Sequence, residues 1–302
     1  MNAFSGPGIL VTGAAGMVGR GLVEVLVAGR RPVRALLRSE LLRGDIEAFG
    51  AEVVVGDVRS PAVIEASLDG ITSIIHLAEA PRAADPQSEF VAATQCLLEA
   101  ARQLESFDIF IYVSALGARA DARSAFLRAK WRCEQLVQGS QLAHVIVRPA
   151  AVYAPDDAFI NSLAYQMTRW RVLPSWGASS VRVQPLSRSE LVAALAASLD
   201  HPWARNRAFD VGGPEALTLK EIMTLLRERM NMATRYLPLP LTTALKVATQ
   251  ARSSIEAGFS PAFLEILKDM PLADNTAFLE VFPLVMQPLR EGLRGYALPK
   301  GA

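Results

Sequence analysis

Cysteine is scarce in this sequence, with two residues, Cys96 and Cys133, in a chain of 302. Both fall in segments with a helical pattern, and neither has a second cysteine or a histidine at metal-ligand spacing. The sequence therefore gives no basis for a metal site, and we predict none. Reduced thiols in the core of a cytoplasmic protein are the expectation.

The sequence also lacks a large excess of positive or negative charge, since 31 Lys and Arg residues balance 30 Asp and Glu residues. This balance gives no electrostatic reason to expect nucleic acid as a partner. No run approaches the roughly 20 apolar residues of a membrane-spanning helix, and residues 1–8 lack the pattern of a signal peptide. We predict a cytoplasmic protein. Peripheral attachment at a membrane complex, through apolar contact or a protein partner, stays open as an alternative.

Apolar residues are abundant: 51% of the chain is hydrophobic and 20% is charged, with a mean hydropathy of +0.24. This composition excludes disorder and predicts an apolar surface for a soluble protein. Short apolar runs alternate with helical patterns, as in an α/β fold with a Rossmann doubly wound parallel sheet. Several runs are apolar at successive residues, which is typical of strands buried on both faces. The six runs are 9–12, 33–37, 52–55, 72–77, 109–113 and 145–147.

The pattern changes near residue 150, where prolines begin to separate shorter elements. We predict a dinucleotide-binding Rossmann domain over residues 1–150. Residues 151–302 are predicted to form a mixed segment that completes the sheet and adds a smaller, mainly helical C-terminal lobe. Two capping boxes, Ser187–Glu190 and Thr218–Glu221, mark predicted helix starts in this second part.

Two segments of the last third offer more apolar surface than a small lobe obviously buries. They are Leu237–Leu241 and Phe278–Leu289, the second of which contains Phe282, Leu284, Val285 and Met286. Exposed apolar patches indicate a partner or a membrane surface. The alternative is that these segments cover a lipophilic substrate pocket.

The glycine loop from Gly13 to Gly19 follows the first predicted strand and opens the first predicted helix. A pyrophosphate needs backbone N–H groups at close range, and only small residues let the chain turn that tightly at a helix N-terminus. The loop is therefore predicted to bind the pyrophosphate of a nicotinamide dinucleotide. The predicted contacts come from Gly13, Ala15, Gly16, Met17, Val18 and Gly19.

The residue that distinguishes NADP(H) from NAD(H) is expected roughly 20 positions after the loop, at the end of the second strand. Arg38 stands there, and an arginine pairs with a 2′-phosphate, so NADP(H) is favoured over NAD(H). Ser39 adds a hydroxyl. Asp57 and Val58 follow the third strand and are predicted to bind the adenine amine, although Asp57 has an alternative role in capping its turn.

The end of the fourth strand is predicted to lie under the nucleotide, with Leu77 and Ala78 in contact with it. His76 precedes them. We interpret it as a core histidine with satisfied hydrogen bonds, not as a catalyst.

These motifs resemble those of the short-chain dehydrogenase/reductase superfamily, in particular its extended and atypical branches. The resemblance covers most of the chain and weakens after about residue 235. The chain is most similar to the atypical group that contains the nucleotide-binding accessory subunit of respiratory complex I. The segments that match the superfamily are Thr12–Gly19, Gly56–Val58, His76–Ala78, Tyr112–Ala115, Lys130, Arg148–Tyr153 and Val211–Pro214. The segments most similar to the atypical group are Ala154–Asn161 and Gly213–Leu225.

The resemblance implies a catalytic Ser, Tyr and Lys, the last two in the spacing YxxxK. Ser114 and Lys130 match, but Phe126 stands where the tyrosine is expected. A phenyl ring cannot transfer a proton, so the usual relay is broken. The resemblance also implies that Pro149, Val152 and Tyr153 line the nicotinamide site, with Tyr153 as the better surrogate acid, and that Lys130 can hold the nicotinamide ribose.

Two hypotheses follow. The first is an accessory or assembly protein that holds NADP(H) as a structural ligand and contacts a protein partner or membrane complex through its apolar C-terminal lobe. The second is an atypical NADPH-dependent oxidoreductase acting on a hydrophobic substrate in a pocket lined by Ser114, Phe126, Tyr153 and Phe159. An epimerase or dehydratase is a weaker variant, because those enzymes also need the missing tyrosine.

Overall fold

A computed structural model describes residues 7–78, 86–170, 172–175, 181–232, 235–238 and 266–298. The chain divides into two compact units, which are described separately. The first unit takes Met1–Pro149, Arg188–Asp210 and Asn275–Leu284, and the second takes Ala150–Ser187, Val211–Asp274 and Val285–Ala302.

The first unit is built on a seven-stranded parallel sheet with the strand order β11-β6-β5-β4-β1-β2-β3. Its central strands are buried along their whole length, because apolar residues occupy both faces. The predicted α/β Rossmann fold is confirmed, and six of the strands coincide with the six predicted runs. The strands are β1 (Gly8–Thr12), β2 (Val33–Leu37), β3 (Glu52–Val55), β4 (Ile71–His76), β5 (Ile109–Val113), β6 (His144–Pro149) and β11 (Arg207–Val211).

Helices cover both faces of this sheet. The strand order runs outward from β1 in one direction and from β4 in the other, and right-handed connections then place the two sets of helices on opposite faces. Helix α1 packs against α2 and α7, whereas α4 packs against α3 and α5. The helices of this unit are α1 (Met17–Ala28), α2 (Arg43–Phe49), α3 (Pro61–Leu68), α4 (Pro86–Ala101), α5 (Ala125–Gln138), α7 (Arg188–Ser198) and α9 (Thr276–Val281).

The N-terminus of helix α3 lies at Ser60 and Pro61. Ser60 occupies the N-cap position and Pro61 the first turn, which suits a residue without an N–H group. The Ser60 side chain makes no capping hydrogen bond, however, so proline geometry at the first turn is the start signal that the structure uses.

The apolar segment Phe278–Leu289 is divided between core and surface. Phe278 and Phe282 are buried, and both pack against Phe209 of β11 with ring centroids 6.4 and 5.6 Å apart. The prediction of an exposed apolar surface is therefore wrong for these two phenylalanines, because β11 provides an aromatic partner for them. Val285 is 95% exposed, and Leu284 and Met286 are half-buried.

The second unit combines short strands with helices around its own apolar core. The core residues come mainly from α6, α8 and the chain near residues 289–296. Thr218 caps α8 in the predicted capping box, accepting from the Glu221 N–H at 3.2 Å while its own N–H donates to the Glu221 carboxylate at 2.7 Å. The helices are α6 (Ala158–Trp170), α8 (Leu219–Met230) and α10 (Leu289–Gly292).

Three two-stranded sheets complete the second unit, in the pairs β7–β10, β9–β12 and β8–β13. Leu237 and Pro238 of the apolar segment Leu237–Leu241 lie in β13, and residues 239–241 lie outside the described part. Across the described ranges, no helix is both long and apolar enough to cross a membrane. The strands are β7 (Val152–Tyr153), β8 (Val172–Ser175), β9 (Arg182–Val183), β10 (Leu186–Ser187), β12 (Leu217–Thr218) and β13 (Arg235–Pro238).

Candidate functional site

The glycine loop joins β1 to α1, and two of its glycines are required by close backbone contacts. Gly13 has a φ of +69°, and a Cβ atom there would lie 2.7 Å from the backbone of Leu77. A Cβ atom on Gly19 would lie 2.7 Å from the Ala14 Cα atom and would overlap the Gly13 carbonyl oxygen. Any side chain at either position would force the backbone to move, so the loop keeps its shape only with glycine.

The N-terminus of α1 is open to a ligand. Gly16 is its N-cap residue and supplies no capping side chain, and the first turn contains no acidic residue. The N–H groups of the first turn, which include those of Met17 and Val18, lack intrahelical acceptors and carry the positive end of the helix dipole. This end of the helix, with half-buried Ala15 and exposed Gly16 before it, fits a pyrophosphate.

The loop is fastened to the end of β4 by a buried hydrogen-bonded chain. The Thr12 hydroxyl lies 2.7 Å from His76 Nδ1, and His76 Nε2 lies 3.2 Å from the Thr94 hydroxyl. Burial, with a smaller contribution from the Lys130 charge, lowers the pKa of His76 to about 3, so its ring is neutral. The interpretation of His76 as a core histidine is confirmed.

The same chain brings the predicted contacts at the end of β4 beside the glycine loop. The Leu77 N–H donates to the Thr12 carbonyl at 3.2 Å, and the Ala78 N–H donates to the Thr12 hydroxyl at 3.3 Å. Leu77 and Ala78 are also the neighbours that Gly13 contacts. The structure therefore gathers these predicted dinucleotide contacts into one surface.

Arg38 and Ser39 follow β2 and are both exposed. Ser39 begins a short 3₁₀ turn without a side-chain capping bond. Among the described residues none forms an ion pair with Arg38. Arg34 differs, because it is buried and donates to the Ser67 and Asp69 carbonyls and to the Glu52 carboxylate.

Asp57 caps the turn after β3. Its carboxylate accepts from the Arg59 N–H at 2.9 Å and from the Arg59 guanidinium at 2.5 to 3.1 Å. These bonds lower the pKa of Asp57 to about 2, with a smaller contribution from the Arg38 charge. Asp57 is therefore ionised and close enough to Arg38 to sense its charge, and Val58 beside it is buried.

Ser114 belongs to a buried ionic network that the sequence analysis missed. Its hydroxyl donates to Glu134 at 2.5 Å. Glu134 is fully buried and also accepts two bonds from Arg148, at 2.6 and 2.9 Å. Arg148 in turn contacts Asp210 at 3.3 Å, and the bidentate bond to Glu134 is the main reason that its pKa is raised.

Lys130 is 1% exposed, and its ammonium is bound inside the protein. Nζ donates to the Val113 carbonyl at 2.8 Å. The ring centroids of Tyr112, Phe90 and Phe126 lie 5.1, 5.7 and 5.7 Å from Nζ, within the range of cation–π attraction. Three rings and a carbonyl therefore surround the charge that was predicted to hold a ribose.

Phe126 is one wall of this aromatic enclosure. It packs edge to face on Phe90, with centroids 5.8 Å apart. Phe126, Lys130 and Glu134 lie one turn apart along α5. This i, i+4, i+8 spacing places Glu134 on the same helix face as the two predicted site positions, and it is the signal in the sequence that could have identified Glu134.

Tyr153 lies in the second unit, where it is buried. Its hydroxyl donates to the Gln287 carbonyl at 3.5 Å, which is a long hydrogen bond. A Cβ atom on Gly292 would lie 2.7 Å from the Tyr153 Cζ atom and would overlap the hydroxyl, so α10 packs directly on the reactive end of the ring. Phe159 is buried in the same apolar core, Val152 is half-buried in β7, and Pro149 ends β6 of the first unit.

Comparison with protein families gives a match that includes residues of both units. A family model described as NAD(P)H-binding matches residues 13–202. The match begins within the glycine loop and covers more than half of the chain.

Three relatives illustrate the range of proteins that the chain resembles. An NAD(P)H azoreductase of Xenophilus azovorans is 26% identical over 80% of this chain and 80% of its own length. The photosystem II assembly factor Ycf39 of Trieres chinensis is 24% identical over 90% of this chain and 81% of its own length. The mitochondrial NADH dehydrogenase [ubiquinone] 1 alpha subcomplex subunit 9 of Arabidopsis thaliana is 29% identical over 46% of this chain, and the match spans 35% of that subunit.

A solved structure extends the resemblance in fold to nearly the whole chain. The NADPH-dependent quinone oxidoreductase of Escherichia coli, solved with NADPH, has a TM-score of 0.77 at 16% identity. The match covers 95% of this chain and 98% of that chain. Both units therefore have counterparts in one known fold.

Proposed function

Because the chain belongs to the NAD(P)H-binding family, we propose that it is an accessory or assembly protein that holds NADP(H) as a structural ligand. A ligand that binds only the folded state stabilises that state by mass action, without being consumed. The observation that supports the proposal most strongly concerns Ser114 and Lys130, the two polar residues expected at the reaction site. Both form hydrogen bonds inside the protein.

Nucleotide binding is supported by the open end of α1. Glycines that admit no Cβ atom bring the backbone close to a ligand, and an uncapped helix N-terminus favours an anion. NADP(H) is favoured over NAD(H) because Arg38 is exposed at the end of β2, where a guanidinium would meet a 2′-phosphate. Ser39 beside it offers a further hydroxyl.

The absence of turnover is supported by three side chains. Phe126 lacks the proton-transferring hydroxyl, the Ser114 hydroxyl is donated to Glu134, and the Lys130 ammonium is donated to the Val113 carbonyl. General acid–base catalysis contributes about 10²- to 10⁴-fold to a rate. Loss of the relay would therefore lower the rate of a reaction at this site by a factor of that size.

The proposal of a protein partner is supported by two relatives whose names place them with large complexes. One relative is an assembly factor of photosystem II and another is a subunit of a mitochondrial NADH dehydrogenase. The match to the assembly factor covers most of both chains, so the resemblance is not confined to the glycine loop.

The test uses the purified full chain. We expect NADPH to raise the melting temperature more than NADH does, and we expect no NADPH oxidation above the no-enzyme rate with quinone or enone acceptors. Phe126→Tyr restores the missing hydroxyl, yet we expect it to stay inactive because Ser114 and Lys130 keep their internal partners. Sustained oxidation of NADPH by the native protein would refute the accessory role.

The azoreductase relative favours a second candidate function, an NADPH-dependent reductase of hydrophobic substrates. In that case Tyr153, water or the substrate itself supplies the proton. Tyr153→Phe then separates the sources: a turnover rate at least about 100-fold below that of the native protein would assign the proton to Tyr153, and an unchanged turnover rate would assign it elsewhere. Co-purification with a large membrane complex, together with slow nucleotide exchange, would argue against this candidate.

A further inference from the structure

An apolar groove runs between α3 and α4 of the first unit, apart from the glycine loop and from Ser114 and Lys130. Its volume is about 470 Å³. The α3 wall contains exposed Pro61 and, buried at the base of the groove, Ile64 and Leu68. The other wall is formed by Cys96 and Ala100 of α4 and by Leu104, which follows that helix, and all three are half-buried.

Acidic side chains border this groove on both sides. Glu65 lies on α3, Asp69 directly follows that helix, and Glu99 lies on α4. All three are exposed, and no described residue forms an ion pair with any of them. The lining contains no Lys, Arg or His. The groove therefore combines an apolar floor with a rim of three carboxylates that form no ion pair among the described residues.

We propose that this groove receives a basic amphipathic helix of a protein partner. The proposal rests on the accessory role proposed above and specifies the partner's chemistry: apolar residues at i, i+3 or i+4 and i+7, flanked by Lys or Arg. The apolar residues would pack on the accessible apolar lining, which is Pro61, Cys96, Ala100 and Leu104. The basic residues would neutralise the three carboxylates.

The dimensions of the groove agree with this occupant. The eight residues of α3 span about 12 Å at the helical rise of about 1.5 Å per residue, which corresponds to about two turns of a docked helix. The floor stays uncharged near neutral pH, because burial and the nearby Glu99 carboxylate raise the pKa of the Cys96 thiol. An anionic membrane surface is disfavoured by the negative rim.

The test measures binding of two fluorescein-labelled 14-residue helical peptides to the full chain by fluorescence anisotropy. One peptide consists of leucine on one face and lysine on the other, and the second has glutamate in place of lysine. We expect the lysine peptide to bind at least tenfold more tightly than the glutamate peptide, with an affinity that falls as salt is added. We also expect the lysine peptide to slow alkylation of Cys96 by iodoacetamide about tenfold.

Two triple variants of equal charge locate the binding surface. The groove variant is expected to lose affinity for the lysine peptide about tenfold, whereas the control variant, which neutralises exposed acids elsewhere, is expected to change it less than twofold. The groove variant carries Glu65→Gln, Asp69→Asn and Glu99→Gln, and the control carries Glu24→Gln, Asp45→Asn and Glu215→Gln.

Four results would overturn the proposal: equal binding of both peptides, equal effects of both triple variants, self-association of the protein that the groove variant abolishes, or binding of phosphatidylserine vesicles that the groove variant abolishes. The third would assign the groove to a second copy of the chain, and the fourth to a lipid surface. NADPH turnover by the native protein refutes the accessory role but leaves peptide binding unchanged, so the two failures are distinguishable.

Discussion

The two ends of the candidate site in the first unit differ in whether their polar groups are accessible to a ligand. At the proposed nucleotide-binding end, comprising Gly13–Gly19 and Arg38, the N-terminus of α1 has no capping side chain and the Arg38 side chain is exposed. At the reaction end, comprising Ser114, Phe126 and Lys130, the polar groups are buried and bonded within the protein. The same fold thus keeps the means of holding a dinucleotide while its reactive groups serve the core.

This difference follows from the chemistry that each end needs. Phosphate binding needs a backbone shape, which two glycines fix through local contacts. Proton transfer needs particular side-chain atoms to be free, whereas the Ser114 hydroxyl and the Lys130 ammonium are bonded to Glu134 and to the Val113 carbonyl. Binding and chemistry can therefore be altered separately.

The largest expected effect is loss of nucleotide binding in Gly19→Ala. Its Cβ atom would overlap the Gly13 carbonyl oxygen, so the loop must move, and we expect NADPH affinity to fall at least about 100-fold. Gly44→Ala is the matched control, because a Cβ atom there meets nothing within 4 Å. Titration of NADPH fluorescence measures both, and full affinity in Gly19→Ala would refute the pyrophosphate site.

The next effect concerns stability at the reaction end. Glu134→Gln leaves Ser114 and Arg148 without their shared carboxylate, and we expect the free energy of unfolding to fall by about 2 kcal/mol, the middle of the range for a buried charged partner. Urea unfolding measures the change, with Glu105→Gln as an exposed control. An unchanged stability would mean that the network is not structural and that Ser114 is free for another role.

A smaller effect is expected at Arg38. Arg38→Ala should lower the affinity for NADPH about tenfold and leave that for NADH unchanged, because only NADPH carries the 2′-phosphate. Arg31→Ala removes another exposed arginine, one that is paired with Asp200, and serves as the control. Equal losses for the two nucleotides would remove the assignment of NADP(H).

The smallest effect is a pH dependence from His76. Its folded pKa is about 3 against an ordinary value of 6.5, so below pH 6.5 the unfolded chain binds a proton that the folded chain does not. Stability is therefore complete above pH 6.5 and declines as pH falls towards 3, by less than about 1 kcal/mol between pH 7 and 6. Urea unfolding at both values measures it, and His76→Asn should have a shallower slope than the native protein.

The sequence alone was sufficient to predict those strands of the sheet that consist of a continuous apolar run. β1 to β6 follow such runs, but β11 was not among the predicted strands. Arg207–Val211 has two exposed residues at its start, and its two buried residues, Phe209 and Val211, lie on either side of half-buried Asp210. Its apolar residues therefore do not form the continuous run that is typical of a strand buried on both faces. Its place beside β6 depends on a contact between residues far apart in the chain.

The glycine loop and its contacts were likewise predictable, because backbone geometry and helix polarity act over a few residues. The bonds of Ser114 and Lys130 were not, since they depend on which side chains the folded helix α5 brings over β5. Phe278 and Phe282 show the same limit: their apolar character was evident, but their partner Phe209 lies about 70 positions earlier.

The path of the chain through the first unit has a consequence for how the protein is made. β6 ends at Pro149, and its neighbour β11 begins at Arg207, so the edge of β6 stays open until the intervening residues have been synthesised. Closing such a distant pair is slow, and an open strand edge is prone to aggregate. A fragment ending at Pro149 would contain every glycine of the loop and yet lack β11, α7 and α9. During translation, β6 would therefore keep an unpaired edge until Arg207–Val211 has left the ribosome.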